Sequence, residues 1–170
     1  MRDLQREFGH DIRIITWDHR GHGDSTPIPR AHATIELLAR DMGDLIDTLA
    51  PTGPLVLAGH SVGGMTLMAL ADAALAVDGL INSPGDTVVG FYEDCMTHER
   101  TRALKVLDGI PTHVLVGTRD VLTPPSHARR IADHVEGAVL TVAPDAGHML
   151  PLERDQLVSG VLIRLIRGSQ

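Results

Sequence analysis

A serine hydroxyl attacks an acyl carbon well only when a base takes its proton and an acid orients that base. One serine has the surroundings for this role. Gly59-His60-Ser61-Val62-Gly63 fits the pattern G-x-S-x-G, with the apolar run LVLAGH ahead of it and an Ala/Leu/Met-rich run directly after it. A strand turning at once into a helix strains the serine backbone and projects its hydroxyl above the sheet edge, and the flanking glycines leave room for strand and helix to meet. Ser61 then stands at a helix N-terminus, where the backbone N–H of Val62 faces any negative charge forming beside it, as an oxyanion hole requires. The plain alternative is a glycine-rich turn holding an incidental serine.

The base and the acid must come from other strand ends. Of the 10 histidines, His148 in PDAGHMLPLE follows the apolar run AVLTVA, which puts it at the same edge as the elbow if the strands are parallel. Asp120 in GTRDVLTPP directly follows THVLVG, and from a neighbouring strand end its carboxylate can reach one ring nitrogen while the other faces Ser61. Asp145, in the histidine's own loop, is a rival nearer in sequence and worse placed. Ser61, Asp120, His148 is the chain order of nucleophile-elbow enzymes. Asp120 as a turn cap and His148 as an ordinary loop histidine remain the bland alternatives. His19 and His22 lack the further Cys or His cluster of a zinc site, and Cys95 has no immediate basic neighbour or helix start to favour a thiolate. No metal and no cofactor is expected.

The elements that would carry these residues alternate. Asp11 to Trp17, DIRIITW, reads as a strand running into the polar loop DHRGHGDSTP. From Thr34, apolar residues at Ile35, Leu38, Met42, Leu45, Ile46 and Leu49 recur at helical spacing. LVLAGH reads as a strand, Val62 to Ala76 as a helix, and Thr112 to Gly117 as a strand. Thr123-Pro124 reads as a cap-and-proline start of a helix to about His134, followed by a strand over Ala138 to Ala143. A last helix carries Leu157, Val158, Val161, Leu162 and Leu165. Between Asp78 and Arg102, DGLIN reads as one short strand and the rest shows no clear period. The class is α/β, a mostly parallel sheet flanked by helices.

At 170 residues the chain suits a single domain. A net charge of -7, with basic residues scattered, argues against a nucleic-acid partner, and no apolar run reaches the roughly 20 residues that span a bilayer. A single cysteine allows no internal disulfide, and MRDLQREFGH lacks the apolar core of a secretion signal, so the cytoplasm is the expected compartment.

Four segments together resemble the α/β-hydrolase superfamily, in its serine-nucleophile branch of esterases, lactonases and peroxidase-like hydrolases. WDHRGHGDST is similar to the loop after the family's fourth strand and LAGHSVGG to its nucleophile elbow. GTRDVLTPP is similar to its acid loop and DAGHMLPLE to its histidine loop. The resemblance covers most of Asp11 to Ile166 and implies Ser61 as nucleophile, Asp120 as orienting acid and His148 as general base. It implies a hydrolase of carboxylic esters or similar small acyl compounds, working through an acyl-enzyme. Serine at 61 separates the chain from the related dehalogenases and epoxide hydrolases, which carry aspartate there.

The chain also departs from that family's plan. The family places three strands before WDHRGHGDS, and the loop after the third gives the second oxyanion donor; here MRDLQREF is similar to the tail of the helix that follows that strand. Losing one such donor costs roughly 2.7–4 kcal/mol, or about a hundred- to thousandfold in rate. Without the third strand, Asp11 to Trp17 is expected either to pair with Leu55 to His60 or to leave the sheet. The cap, placed over residues 83–100, is expected to be minimal. Two readings follow: a minimal active hydrolase, with a homo-oligomer as one way to complete the site, or a truncated remnant that at most binds small ligands or partners.

Overall fold

The computed structural model describes residues 2–27, 29, 34–49, 51–74, 87–90 and 103–169. Among these described residues four strands form one parallel sheet in the order β1 (Val56–Gly59), β2 (Thr87–Gly90), β3 (Thr112–Gly117) and β4 (Val139–Ala143). The ladders are in register from Gly59 opposite Gly90, through Gly90 opposite Val114, to Gly117 opposite Ala143. All four strands therefore end at one edge, where the loops that follow them meet.

Parallel strands need crossovers, and helices supply them. The helices are α1 (Arg2–Phe8), α2 (Ile35–Leu49), α3 (Val62–Ala74), α4 (Pro125–His134), α5 (Leu150–Glu153) and α6 (Asp155–Gly168). Thr34 starts α2 by accepting the Leu37 N–H at 3.2 Å, an N-cap worth about 1 kcal/mol. The apolar stripe of α2 then buries Leu38, Ala39 and Met42 against Leu67 and Leu70 of α3.

The pleat of β3 divides the core. Val114 and Val116 face Met68, Leu104, Leu107 and Ile131, while Leu115 faces Leu150, Val158 and Val161. Every residue of β3 is buried, as a central strand covered by helices on both faces requires. Each such Val or Leu contributes about 1.5–3 kcal/mol by burial, so β3 is a firm base for the loop that follows it. His113, buried in the same strand, bonds Thr141 Oγ1 of β4 at 2.7 Å, and burial holds its pKa below the ordinary value, with Arg164 adding to the effect. Among the described residues no helix is long and apolar enough to cross a membrane.

One stated alternative is decided and two expectations change. Asp11 to Trp17 leaves the sheet: β1 pairs only with β2 among the described residues, Ile15 and Trp17 are about two-fifths exposed, and Arg13 reaches the Leu49 carbonyl at 3.3 Å. A β-branched run favours a pleated surface, yet without a neighbouring strand its backbone has no ladder to join. Thr87–Gly90, in a stretch without visible period, is the strand β2 between β1 and β3. DGLIN and the rest of the span assigned to the cap lie outside the described residues. Thr123 does not cap α4; Pro124 takes that position and the threonine hydroxyl turns elsewhere. Ala103–Leu107 forms a 3-10 turn that buries Leu104 and Leu107.

Candidate active site

The elbow between β1 and α3 is strained as its sequence pattern predicts. Ser61 has φ 56°, the left-handed region that costs a residue with a side chain of order 1–3 kcal/mol unless its surroundings impose it. The surroundings do impose it: Gly63 N–H donates to the His60 carbonyl at 2.9 Å and Met65 N–H to the Ser61 carbonyl at 3.1 Å. Room for the turn comes from Gly59, where a Cβ would lie 2.4 Å from the Gly63 carbonyl carbon. A Cβ at Gly63 would meet open space, so the second glycine of the pattern is not demanded by packing. Val62 opens α3, and its N–H therefore has no helical carbonyl one turn back to bond.

The acid loop leaves β3 and folds back on itself. Asp120 Oδ1 accepts the N–H groups of Leu122 at 3.0 Å and Thr123 at 2.8 Å, while Oδ2 accepts the Thr123 hydroxyl at 2.6 Å. The same Oδ2 lies 2.9 Å from His148 Nδ1, with the Asp120 side chain only 5% exposed and that of His148 16%. Burial alone would push the Asp120 carboxyl up. The Thr123 hydroxyl, the Thr123 amide and the His148 ring together outweigh burial and hold it below the ordinary carboxylate range. A charged Oδ2 can only accept, so Nδ1 carries the proton and Nε2 keeps its lone pair for other work.

The histidine loop leaves β4 and is tied on several sides. Glu153 accepts Gly147 N–H at 2.7 Å and Met149 N–H at 3.0 Å, gripping both amides that flank His148. Arg119 N–H donates to the Ala146 carbonyl at 2.8 Å, a contact so close that a Cβ on Gly117 would sit 2.1 Å from that same oxygen. On the elbow side, His60 Nε2–H donates to the His148 carbonyl at 2.8 Å, and the two rings lie 5.1 Å apart. The residue next to Ser61 thus touches His148, and the elbow and the imidazole share one corner of the sheet edge.

Of the residues singled out by sequence, Asp120 and His148 are joined directly, and Ser61 and Val62 stand at the elbow beside them. Asp145 points away: its carboxylate pairs with Arg119 at 2.5 Å on the surface. His19 and His22 lie in the loop after Trp17, with His22 Nδ1 3.3 Å from the Arg20 carbonyl. Among the described residues no group of three or more His, Cys, Asp or Glu side chains converges on a metal position. Cys95 lies outside the described residues. Sequence reasoning missed Thr123, His60 and Glu153. Thr123 had a readable signal, since Asp-x-x-Thr is the spacing of a side chain closing its own turn; His60 had none, because its partner is 88 residues away.

The fold and the elbow agree with what the chain is similar to. Residues 4–85 match the family model described as "Serine aminopeptidase, S33", a span that holds the elbow and ends before Asp120 and His148. A stretch of 59 residues, 35% of the chain, is 44% identical to the sn-1-specific diacylglycerol lipase ABHD11 of Mus musculus, and spans 18% of that protein's length. Among solved structures, a thermophilic esterase from Thermogutta terrifontis superposes with a TM-score of 0.72 at 22% identity, over 99% of this chain and 84% of its own. A variant of the meta-cleavage product hydrolase CumD gives 0.73 at 14% identity, over 98% and 84%. The parallel sheet flanked by helices and the likeness to these solved structures show that the chain has the α/β-hydrolase fold.

Proposed function

We propose that the chain hydrolyses carboxylic esters or similar small acyl compounds through Ser61, His148 and Asp120. One observation carries the reading above all: His148 Nδ1 is held at 2.9 Å by a buried Asp120 beside an elbow whose serine has φ 56°. Ser61 Oγ attacks the acyl carbon as its proton passes to His148 Nε2, and the oxyanion that forms faces the N–H of Val62. The carbon–oxygen bond to the alcohol then breaks, Nε2 returns the proton to the departing oxygen, and the acyl group stays on Ser61. Water repeats the sequence: it gives a proton to Nε2, adds to the acyl carbon and releases the acid and Ser61. Asp120 stays charged throughout and stabilises the imidazolium.

A protein that binds without turning over is the competing reading. It is favoured by the edge of β1, which has no neighbour on its outer side among the described residues and yet carries Ser61. Hydrolysis of 4-nitrophenyl acetate by the wild type and by Ser61→Ala decides between them. A loss on the order of a thousandfold or more in the variant, with a fluorophosphonate adduct on the Ser61 peptide of the wild type, is the expected outcome. Equal rates for the two proteins would leave binding as the function.

A further inference from the structure

His148 Nδ1–H donates to Asp120 Oδ2 and lies 3.2 Å from Thr123 Oγ1, and these two contacts at Nδ1 fix how the ring is turned. They do not fix where the loop carrying that ring stands relative to the serine. Glu153 and Arg119 hold the loop to α5 and to the acid loop. The bond from His60 is of another kind, since it crosses to the elbow itself and ends on the carbonyl of His148 at 2.8 Å.

We propose that His60 is a positioning residue, whose Nε2–H ties the backbone of His148 to the elbow and so sets the height of the imidazole above Ser61. A carbonyl oxygen only accepts, so His60 must carry a proton on Nε2. The tie acts as a fixed strut. Geometry shows why the strut matters: the rings lie 5.1 Å apart at 45°, so a shift of the loop moves Nε2 of His148 across the elbow, and a misplacement of about 1 Å can cost a hundredfold in rate.

Two variants separate the bond from the bulk of the ring. His60→Gln keeps an amide donor near the position of Nε2 but loses the ring, whereas His60→Phe keeps a ring and loses the donor. His60→Phe is expected to lower kcat on 4-nitrophenyl acetate roughly ten- to a hundredfold with KM nearly unchanged, and His60→Gln to recover most of it. In a His148→Ala background His60→Phe should cost nothing more, because its effect passes through His148. A multiplied loss in that background, or a Gln variant as impaired as Phe, would overturn the role.

Because the kinetic arm rests on the serine-hydrolase reading, a second readout is taken without turnover. The downfield proton resonance of His148 Nδ1–H against Asp120 should weaken or shift in His60→Phe and persist in His60→Gln. It reports on the strut even if Ser61→Ala leaves hydrolysis untouched. An unchanged resonance in His60→Phe would show that the strut does not hold His148.

Discussion

Two regions of the molecule are built differently. Between Thr112 and Arg154 the loops after β3 and β4 are laced to each other: Thr118 N–H reaches the Ala143 carbonyl at 2.9 Å, Asp145 N–H reaches Thr118 Oγ1 at 2.9 Å, and Arg154 reaches the Pro144 carbonyl at 2.9 Å. The segment from Arg13 to Pro27 instead bonds mostly to itself. Ser25 Oγ donates to the Asp18 carbonyl at 2.7 Å and Asp24 N–H to Asp18 Oδ2 at 3.1 Å, and Arg20 makes a two-pronged ion pair with Asp41 of α2. The imidazole–carboxylate half is thus positioned by bonds between strand ends. The segment from Arg13 to Pro27 is positioned by its own turns and by its ion pair to α2. Substitutions of the buried groups around His148 in the first region should alter chemistry, and substitutions in the second should not.

The largest expected effect is at Asp120. Asp120→Asn keeps the shape of the turn but offers His148 a donor or a neutral oxygen in place of a charge, so Nδ1 no longer keeps its proton reliably and Nε2 loses its role as base. A fall in kcat of about ten-thousandfold is expected from steady-state rates. The matched change in the neighbouring loop, Asp145→Asn, removes a carboxylate that is 71% exposed and paired only at the surface with Arg119, and should leave kcat within about twofold. Similar losses for the two would erase the distinction between the buried carboxylate and the exposed one.

The contrast between regions also decides what could be read from sequence. THVLVG announced β3, a central strand buried along its whole length, and AVLTVA announced β4, a partly exposed edge strand, through its mostly apolar run, and the candidate residues lie in the loops that follow them. DIRIITW is likewise rich in β-branched residues and stays out of the sheet, since pairing depends on a neighbour that composition does not display. TVVG does the reverse: four residues after a Pro/Gly-containing stretch give little period, yet two flanking strands recruit them. Ser61, Asp120 and His148 were legible through their strand-end positions. The groups that hold them were not, because His60 and Glu153 act on backbone atoms, and a bond to a carbonyl or an amide leaves no mark on the partner's side chain.

A smaller effect is expected at Thr123, with a signature in pH. Thr123→Val keeps the volume of a fully buried side chain but removes the hydroxyl from Asp120 Oδ2, a bond to a charged group worth about 1.5–3 kcal/mol. In the wild type the folded Asp120 carboxyl lies below its ordinary value, so its stabilisation is present above that value and is lost as pH falls through the folded one. Without the hydroxyl the folded value rises. Thermal unfolding followed across acidic pH should then show lower stability for the variant near neutrality and an acid loss that begins at higher pH. The curves should converge once the carboxyl is protonated in both. A constant gap at every pH would mean that Thr123 supports packing and not the charge on Asp120.

The smallest effect is the one most able to break the comparison. Arg20 and Asp41 are both partly exposed, with side chains 36% and 24% accessible, and their pair joins the segment after Trp17 to α2, which packs on α3 rather than on β3 or β4. Exposed pairs are screened by solvent and salt, so Asp41→Asn should lower Tm by about 2 °C or less and leave kcat and KM on 4-nitrophenyl acetate within about twofold. High salt should shrink even that difference in Tm, because the lost interaction is one that ions already weaken. A tenfold fall in kcat would mean that the segment reaches the elbow through α2 and α3. The strained Ser61 turn at the head of α3 would then depend on the region in front of it as much as on the laced loops beside it.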